Sequence, residues 1–171
     1  MNSYSEKQRF TQWWLWGIIL ASLIVPIVIT FVSSRPAIPP ASEMLFSMIP
    51  FAIVIPLILM TKLYTTIDET GISYRFLPFH FNPRKVAWTE IEYAWVRKYR
   101  PIVEYGGWGI RYGMGGKGMA FNISGNMGLQ LVLKTGKRVL IGTQNPDGIN
   151  EALNQLIRDK KISPKMIVPQ E

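Results

Sequence analysis

Two long apolar runs near the N-terminus stand out in the pattern of hydrophobic and polar positions. The first, WWLWGIILASLIVPIVITFV from Trp13 to Val32, contains no charged residue, and neither does MLFSMIPFAIVIPLILM from Met44 to Met60. A helix rises about 1.5 Å per residue, so the first run is long enough for the ~30 Å hydrocarbon core of a bilayer. We therefore predict a two-helix transmembrane hairpin over residues 13–62, with spans at about 13–32 and 41–62.

The residues around the two runs predict how the hairpin is oriented. The connection SSRPAIPPASE, from Ser33 to Glu43, is rich in proline and fits a tight turn between antiparallel helices. A signal peptide is the alternative for the first run, but the run exceeds the ~7–15 residues of a usual signal core. Lys7 and Arg9 precede the first run and Lys62 follows the second, so the positive-inside rule predicts a multi-pass protein of the inner membrane with both termini in the cytoplasm.

After Lys62 the pattern changes to short segments in which apolar and polar residues alternate between Gly, Pro, Asn and Asp. Such alternation is typical of β-strands and predicts about seven of them. A helix is predicted over NPDGINEALNQLIRDKK, where Asn145 is the N-cap and Pro146 the first helical residue. Ile149 and Leu153 belong to an apolar stripe that packs this helix on the strands.

This layout predicts a pleckstrin-homology-like (PH-like) β-barrel or sandwich of about seven strands with a C-terminal helix. With the transmembrane hairpin, the predicted fold class is a membrane-anchored α+β protein. Residues 1–12 are then a cytoplasmic N-terminal segment, 13–62 the hairpin, 63–160 the PH-like domain and 161–171 a C-terminal tail. The chain contains no cysteine, which agrees with a reducing compartment.

The strand region also resembles known bacterial proteins. The stretch LYTTIDETGISYRFLPFHFNPRKVAWTEIEYAWV looks like the opening of bacterial PH-like domains that follow a pair of membrane helices. The stretches YGGWGIR and FNISGNMGLQLVLKTGKRVLIGTQNP resemble, more specifically, an uncharacterised family of small bacterial membrane proteins that carry this domain. The resemblance covers roughly Leu63 to Leu156 and implies location and fold. It implies no activity and no catalytic or binding residues.

The glycine-rich stretch YGGWGIRYGMGGKGMAFNISGN, from Tyr105 to Asn126, is the first candidate for chemistry. A Walker-type phosphate loop needs Gly, four residues and Gly-Lys-Ser/Thr, but Arg111 holds the first glycine position and Gly118 follows Lys117. A dinucleotide fingerprint needs a helix after the glycines, whereas a strand is predicted there. The main interpretation is therefore a long hairpin with structural glycines. The alternative is a ligand or partner surface formed by Tyr105, Trp108, Arg111, Tyr112, Lys117, Asn122 and Asn126.

The remaining residues give catalysis little support. The chain has no cysteine and one histidine, His80, so no His/Cys metal cluster can form. His80 lies between two phenylalanines, which favours a partly buried surface position over a general base. The two apolar runs carry no ionisable residue for intramembrane chemistry. We expect no enzyme, no cofactor and no metal.

The formal net charge of +8 belongs mostly to the part of the chain after Lys62. Each Lys or Arg close to an anionic leaflet contributes about 1 kcal/mol of attraction, so clustered basic residues are expected to orient the domain on lipid headgroups. Nucleic acid would use the same charge, but the sequence has no nucleic-acid recognition motif, and we expect no such partner. The predicted lipid-facing basic residues are Arg97, Lys98, Arg100, Lys134, Lys137 and Arg138.

The functional hypothesis combines these features. We expect a non-enzymatic inner-membrane protein whose cytoplasmic PH-like domain is a protein-binding or assembly module, with the bilayer and an unidentified protein as its partners. The alternative is a sensor of anionic lipid or of a small ligand, which uses Arg111, the predicted lipid-facing basic residues and the glycine-rich loop.

Overall fold

The computed structural model describes residues 3–10, 12–32 and 41–167, with the backbone alone for 25–27, 29–32 and 41–48. Contacts divide the chain into two compact units. One unit joins Met1–Phe10 to Met60–Glu171, and we call it the β domain. The other, Thr11–Leu59, is the helical unit.

The helical unit contains α1 (Trp13–Val32) and α2 (Ala41–Met60), with Pro50 and Pro56 inside α2.

Among the described residues, no helix is both long enough and apolar enough to cross a membrane. This finding makes the predicted transmembrane hairpin wrong, and with it the membrane-anchored fold class. The inner-membrane, multi-pass localisation that followed from the hairpin is wrong for the same reason. Residues 33–40 of the predicted connection lie outside the described part of the chain.

The first sheet of the β domain has four strands in the order β1-β2-β3-β4, and all its neighbours are antiparallel. The strands are β1 (Tyr4–Arg9), β2 (Lys62–Asp68), β3 (Gly71–Leu77) and β4 (Arg84–Ala87). Arg9 pairs with Lys62, which itself pairs with Leu77. The chain therefore leaves the sheet after β1 and re-enters it at a neighbouring position.

The second sheet has five strands in the order β5-β8-β9-β7-β6. The strands are β5 (Ile91–Lys98), β6 (Gly109–Gly113), β7 (Gly118–Asn122), β8 (Met127–Leu133) and β9 (Arg138–Thr143). The pair β7–β9 is parallel, whereas the other neighbours are antiparallel. Helix α3 (Pro101–Tyr105) connects β5 to β6, and α4 (Pro146–Arg158) follows β9.

One hydrophobic core joins both sheets to α4. Leu63 and Phe76 from the first sheet, Leu129 and Ile141 from the second and Leu153 from α4 are all buried in it. Helix α4 begins at Pro146, and the Asn145 side chain accepts a hydrogen bond from the N–H of Gly148 at 3.0 Å. The predicted N-cap and apolar stripe of this helix are therefore present.

Two sheets with four and five strands replace the predicted PH-like barrel of about seven strands. The prediction did not include β1, because its sequence YSEKQR is mostly polar. Its backbone is satisfied by pairing with β2, and Gln8 is buried with its amide donating to the carbonyl of Gly142 at 2.6 Å. The observed fold is thus an α+β domain with two sheets.

Candidate functional site

The five-stranded sheet has one face toward the core and one face away from it. Along β5, Ala94 and Val96 point into the core, so the alternate residues Tyr93, Trp95 and Arg97 lie on the opposite side. The register of β8 adds to this side, because Gln130 pairs with Trp95 and Val132 pairs with Tyr93. We call this side the outer face.

Helix α3 covers part of the outer face. Its last residue, Tyr105, forms a small buried cluster with Tyr99, Ala120 and Leu140. The two tyrosine rings meet edge-on, with 5.9 Å between their centroids. A Cβ atom on Gly113 would lie 2.7 Å from the Tyr105 ring, so this position must be glycine for the ring to pack there. At least one glycine of the glycine-rich stretch therefore serves close packing.

The part of the outer face next to α3 forms an open groove of about 640 Å³, which we call the sheet groove. It is lined by two aromatic side chains of β5 and by three basic side chains, one from β5 and two from other parts of the chain. The complete lining is Tyr93, Trp95, Arg97, Glu104, Lys117, Gln130, Val132 and Arg138.

Glu104 of α3 is the centre of a charge network in the sheet groove. Its carboxylate is 2.9 Å from the Arg97 guanidinium and 3.3 Å from the Lys117 ammonium, and it accepts the N–H of Arg100 at 2.7 Å. Burial raises the pKa of Glu104, but the hydrogen bonds from Arg97 and Arg100 outweigh it and hold this pKa at about 2. Arg97 also donates to the Gln130 side-chain oxygen at 3.1 Å. The network keeps α3 and β5 in a fixed arrangement.

Arg138, at the start of β9, contributes a further positive charge to the sheet groove. It is exposed and pairs in register with Val132 of β8. Within the described part of the chain, none of the ion pairs includes Arg138. Its guanidinium is therefore available to an anionic group that enters the groove.

A second open cavity of about 620 Å³ also borders α3, and we call it the loop cleft. The Trp108 indole N–H donates to the carbonyl of Gly125 at 3.0 Å, and the N–H of Tyr99 donates to the carbonyl of Asn126 at 2.8 Å. These bonds close the ends of two loops beside α3. The complete lining is Lys98, Tyr99, Arg100, Pro101, Ile102, Val103, Glu104, Trp108 and Asn126.

The structure separates the predicted partner-surface residues. Lys117 lines the sheet groove, whereas Trp108 and Asn126 line the loop cleft. Arg111 and Tyr112 are exposed on the edge strand β6, where the Arg111 Nε donates to the carbonyl of Trp108 at 3.0 Å.

Tyr105 and Asn122, the other two members of that set, are buried. The Asn122 side chain accepts the N–H of Gly109 and donates to the Tyr99 hydroxyl, both at 2.9 Å. Their present contacts are those of residues that hold the sheet and α3 together.

The predicted lipid-facing basic residues fall into three groups. Arg97 and Arg138 line the sheet groove, and Lys98 and Arg100 line the loop cleft. Lys134 and Lys137 are exposed where β8 turns into β9.

Sequence reasoning included Arg97 of the groove but missed Glu104, the aromatic residues Tyr93 and Trp95 of β5, and Gln130 and Val132 of β8. The signal for the β5 side chains was present as alternation in EYAWVRK, where Tyr93, Trp95 and Arg97 occupy every second position.

Within the described residues, no group of three or more His, Cys, Asp or Glu side chains could hold a metal ion.

Similarity to known proteins adds no assignment for the residues of the sheet groove or the loop cleft. The resemblance to small bacterial membrane proteins with a PH-like domain stays a prediction. No family model, no curated protein and no solved structure matches this chain.

Proposed function

We propose that the β domain is a non-enzymatic protein-binding module, and that its sheet groove receives an acidic, extended segment of a partner protein. One observation carries the proposal: Tyr93 and Trp95 lie in the same groove as Arg97, Lys117 and Arg138. Aromatic residues and arginine are the types that contribute most to binding energy at protein interfaces.

The aromatic side chains of the groove offer area that a partner can bury. Tyr93 is 38% exposed, and Trp95 is half-buried among its sheet neighbours. Both rings stand on β5, whose backbone is hydrogen-bonded along its length to β8. A rigid strand loses little conformational entropy on binding, which favours affinity.

The basic side chains of the groove explain why the partner segment is expected to be acidic. Three cations line the groove against one carboxylate, and Glu104 is already shared between Arg97 and Lys117. The guanidinium of Arg138 can bind a carboxylate through two parallel hydrogen bonds. Val132, its neighbour in register, supplies apolar area beside that contact.

Site-specific photo-cross-linking in the full-length protein tests the proposal. A photoreactive amino acid replaces Tyr93 in one variant and Tyr112, an exposed tyrosine on β6, in the control. We expect Tyr93 to capture one defined protein through a segment rich in Asp and Glu. Arg138→Glu should lower the yield at least about tenfold, since it places a like charge against the segment. Lys134→Glu, on the exposed turn, should leave the yield unchanged.

The captured segment is then made as a labelled peptide and titrated with each variant. Binding that is equal for Arg138→Glu and Lys134→Glu, or capture that is equal at positions 93 and 112, would contradict the proposal. A captured segment without acidic residues would contradict its charge complementarity while leaving the groove as a protein-binding site.

The second candidate function is a sensor of a small anionic ligand in the loop cleft. It is favoured by the exposed charges of Lys98 and Arg100 beside the Trp108 ring in a cavity of about 620 Å³. Titration with inorganic phosphate, followed by the NMR signal of the Trp108 indole N–H, tests it. The shift should saturate and should disappear in Arg100→Ala but not in Lys134→Ala. A non-saturating shift, or one that is equal in both variants, would exclude this function.

A further inference from the structure

The four-stranded sheet also has a side that faces away from the core, and this side is basic. Because Leu63 and Phe76 point into the core, Lys62 and Arg75 beside them point outward. The same alternation applies to the other two strands, where Gln8 and Val86 are buried. We call the outward cations of this sheet the basic face: Lys7, Arg9, Lys62, Arg75 and Lys85.

The cations of the basic face are held close together by the sheet. Lys7, Tyr64 and Arg75 lie side by side across β1, β2 and β3. The Arg75 guanidinium carbon is 4.8 Å from the centroid of the Tyr64 ring, and the Lys7 nitrogen is 5.4 Å from it. Among the described residues, none of the ion pairs includes a member of the basic face. Both cations thus pack against one ring of the sheet and leave their charge to an anionic partner.

Two exposed aromatic side chains lie at one end of the same sheet. Arg9, Lys62 and Leu77 are in register at this end, and the loop that follows Leu77 carries Phe79 and Phe81. Phe79 is 58% exposed and Phe81 is 75% exposed.

His80, between the two phenylalanines, turns the other way. Its ring lies 5.6 Å from the buried Phe121 ring. The loop therefore packs against the β domain through His80, whereas the side chains of Phe79 and Phe81 are exposed to solvent. We call Phe79 and Phe81 the aromatic tip.

The other end of the sheet has the opposite character. The turn between β2 and β3 carries Asp68 and Glu69, and the Asp68 carboxylate accepts the backbone N–H of Thr70 at 2.7 Å. One end of the sheet is thus apolar and basic, whereas the other carries two carboxylates, of which Glu69 pairs with Lys161 at 3.0 Å. The aromatic tip therefore lies at one defined end of the basic face.

We propose that the basic face and the aromatic tip together bind the surface of an anionic phospholipid bilayer. Phenylalanine side chains enter the boundary between headgroups and acyl chains, and lysine and arginine attract the headgroup phosphates. Single-stranded nucleic acid would also need cations and rings, but its bases stack on rings that alternate with the cations along a groove. Here Phe79 and Phe81 project from the end of the sheet, and Tyr64, the ring between the cations, is already in contact with Lys7 and Arg75.

Vesicle co-sedimentation of the full chain tests this inference. Vesicles of phosphatidylcholine alone are compared with vesicles of equal parts phosphatidylcholine and phosphatidylglycerol. Every variant keeps the helical unit, so differences between variants report on the β domain. We expect Lys7→Gln with Lys85→Gln to weaken binding to the anionic vesicles about fivefold for each charge removed. Phe79→Ser with Phe81→Ser should weaken it at least about tenfold.

Matched controls remove the same kinds of side chain elsewhere. Lys134→Gln with Lys137→Gln takes two charges from the exposed β8–β9 turn, and Ile102→Ser with Val103→Ser takes two exposed apolar side chains from α3. Both control variants should bind as the unchanged protein does, and added salt should weaken only the charge-dependent part.

Equal binding to the two kinds of vesicle would overturn the inference, and so would controls that weaken binding as much as the test variants. Binding of a single-stranded oligonucleotide that is stronger than binding to the anionic vesicles would assign the basic face to nucleic acid instead. Circular dichroism confirms that each variant folds. If a double variant does not fold, the single variants Lys85→Gln and Phe81→Ser give the same comparison at exposed positions.

Discussion

Glu104 and Arg97 form an ion pair of 2.9 Å in which only 11% of the Glu104 side chain is exposed. The pair joins α3 to β5 across the outer face. A helix of five residues does not persist in water by itself, so contacts of this kind must hold α3 in place. The position of α3 in turn decides how much of the outer face stays open as the sheet groove.

The pair makes stability depend on pH. The folded-state pKa of Glu104 is about 2, below its ordinary 4.5. Its stabilisation is therefore complete above pH 4.5 and is lost as the pH falls toward about 2. We expect Glu104→Gln to lower the free energy of unfolding at neutral pH by up to about 3 kcal/mol, with the difference shrinking at acidic pH. Urea unfolding at a series of pH values measures it.

Glu151→Gln is the matched control for this prediction, because Glu151 is exposed on α4. Its effect on the free energy of unfolding should stay within about 0.5 kcal/mol at every pH. A Glu104→Gln effect that does not change with pH would show that the carboxylate charge contributes nothing to holding α3.

His80 gives a second pH dependence, in the range near neutrality. Burial lowers the pKa of His80, and the charge of Arg84 lowers it further. Since the unfolded chain takes up the proton first, stability should begin to fall as the pH drops below 6.5. We expect Arg84→Gln to raise the pKa of His80, as measured from the NMR titration of its ring protons. Lys85→Gln, one residue away on the opposite side of β4, should change it less; an equal change would contradict the role of Arg84.

The sequence was sufficient for α4 and insufficient for β1, and the reason is physical. The cap Asn145, Pro146 and the apolar stripe of α4 are neighbours in the chain, so local rules describe them. Strand β1 depends on pairing with β2 and on the contact of Gln8 with Gly142, which lie far away in sequence. Interactions over such distances leave no periodic signal in six polar residues.

In the candidate site too, features set by neighbouring residues could be predicted, whereas features set by contacts distant in sequence could not. Alternation in β5 predicts that Tyr93 and Trp95 share a side with Arg97, but not which side remains open. That depends on where α3 packs, and α3 is fixed by the long-range contact between Glu104 and Lys117. The glycine-rich stretch attracted the prediction because of its composition, whereas Gly113 proves to be needed for the packing of a tyrosine ring.

Among the polar side chains of the outer face, we expect the removal of Asn122 to lower the free energy of unfolding most. It is fully buried and satisfies both the Gly109 N–H and the Tyr99 hydroxyl. Asn122→Ala leaves both groups without a partner, which should lower the free energy of unfolding by about 2–4 kcal/mol. Urea unfolding measures the loss. Asn154→Ala, at an exposed position of α4, should change it by less than about 0.5 kcal/mol. Equal effects would mean that water replaces the lost amide.

Alanine substitutions at Gly118 and Gly136 distinguish the cost of backbone strain from the cost of steric overlap. Their φ angles are nearly identical, at 79° and 78°, so alanine at either position has to adopt a positive φ that residues with a Cβ atom disfavour. At Gly136 an added Cβ meets no atom within 4 Å, whereas at Gly118 it overlaps the carbonyl of Arg138. We expect Gly136→Ala to lower the free energy of unfolding by about 1 kcal/mol.

Gly118→Ala carries the same strain and in addition forces β7 away from the start of β9, beside the sheet groove. We expect its cost to exceed that of Gly136→Ala by at least about 2 kcal/mol. Thermal and urea unfolding of the two variants give the difference directly, because the strain cancels between them. Equal costs would show that β7 and β9 can move apart freely at this point. In that case, the parallel pairing of β7 and β9 would not fix the position of Arg138 in the groove.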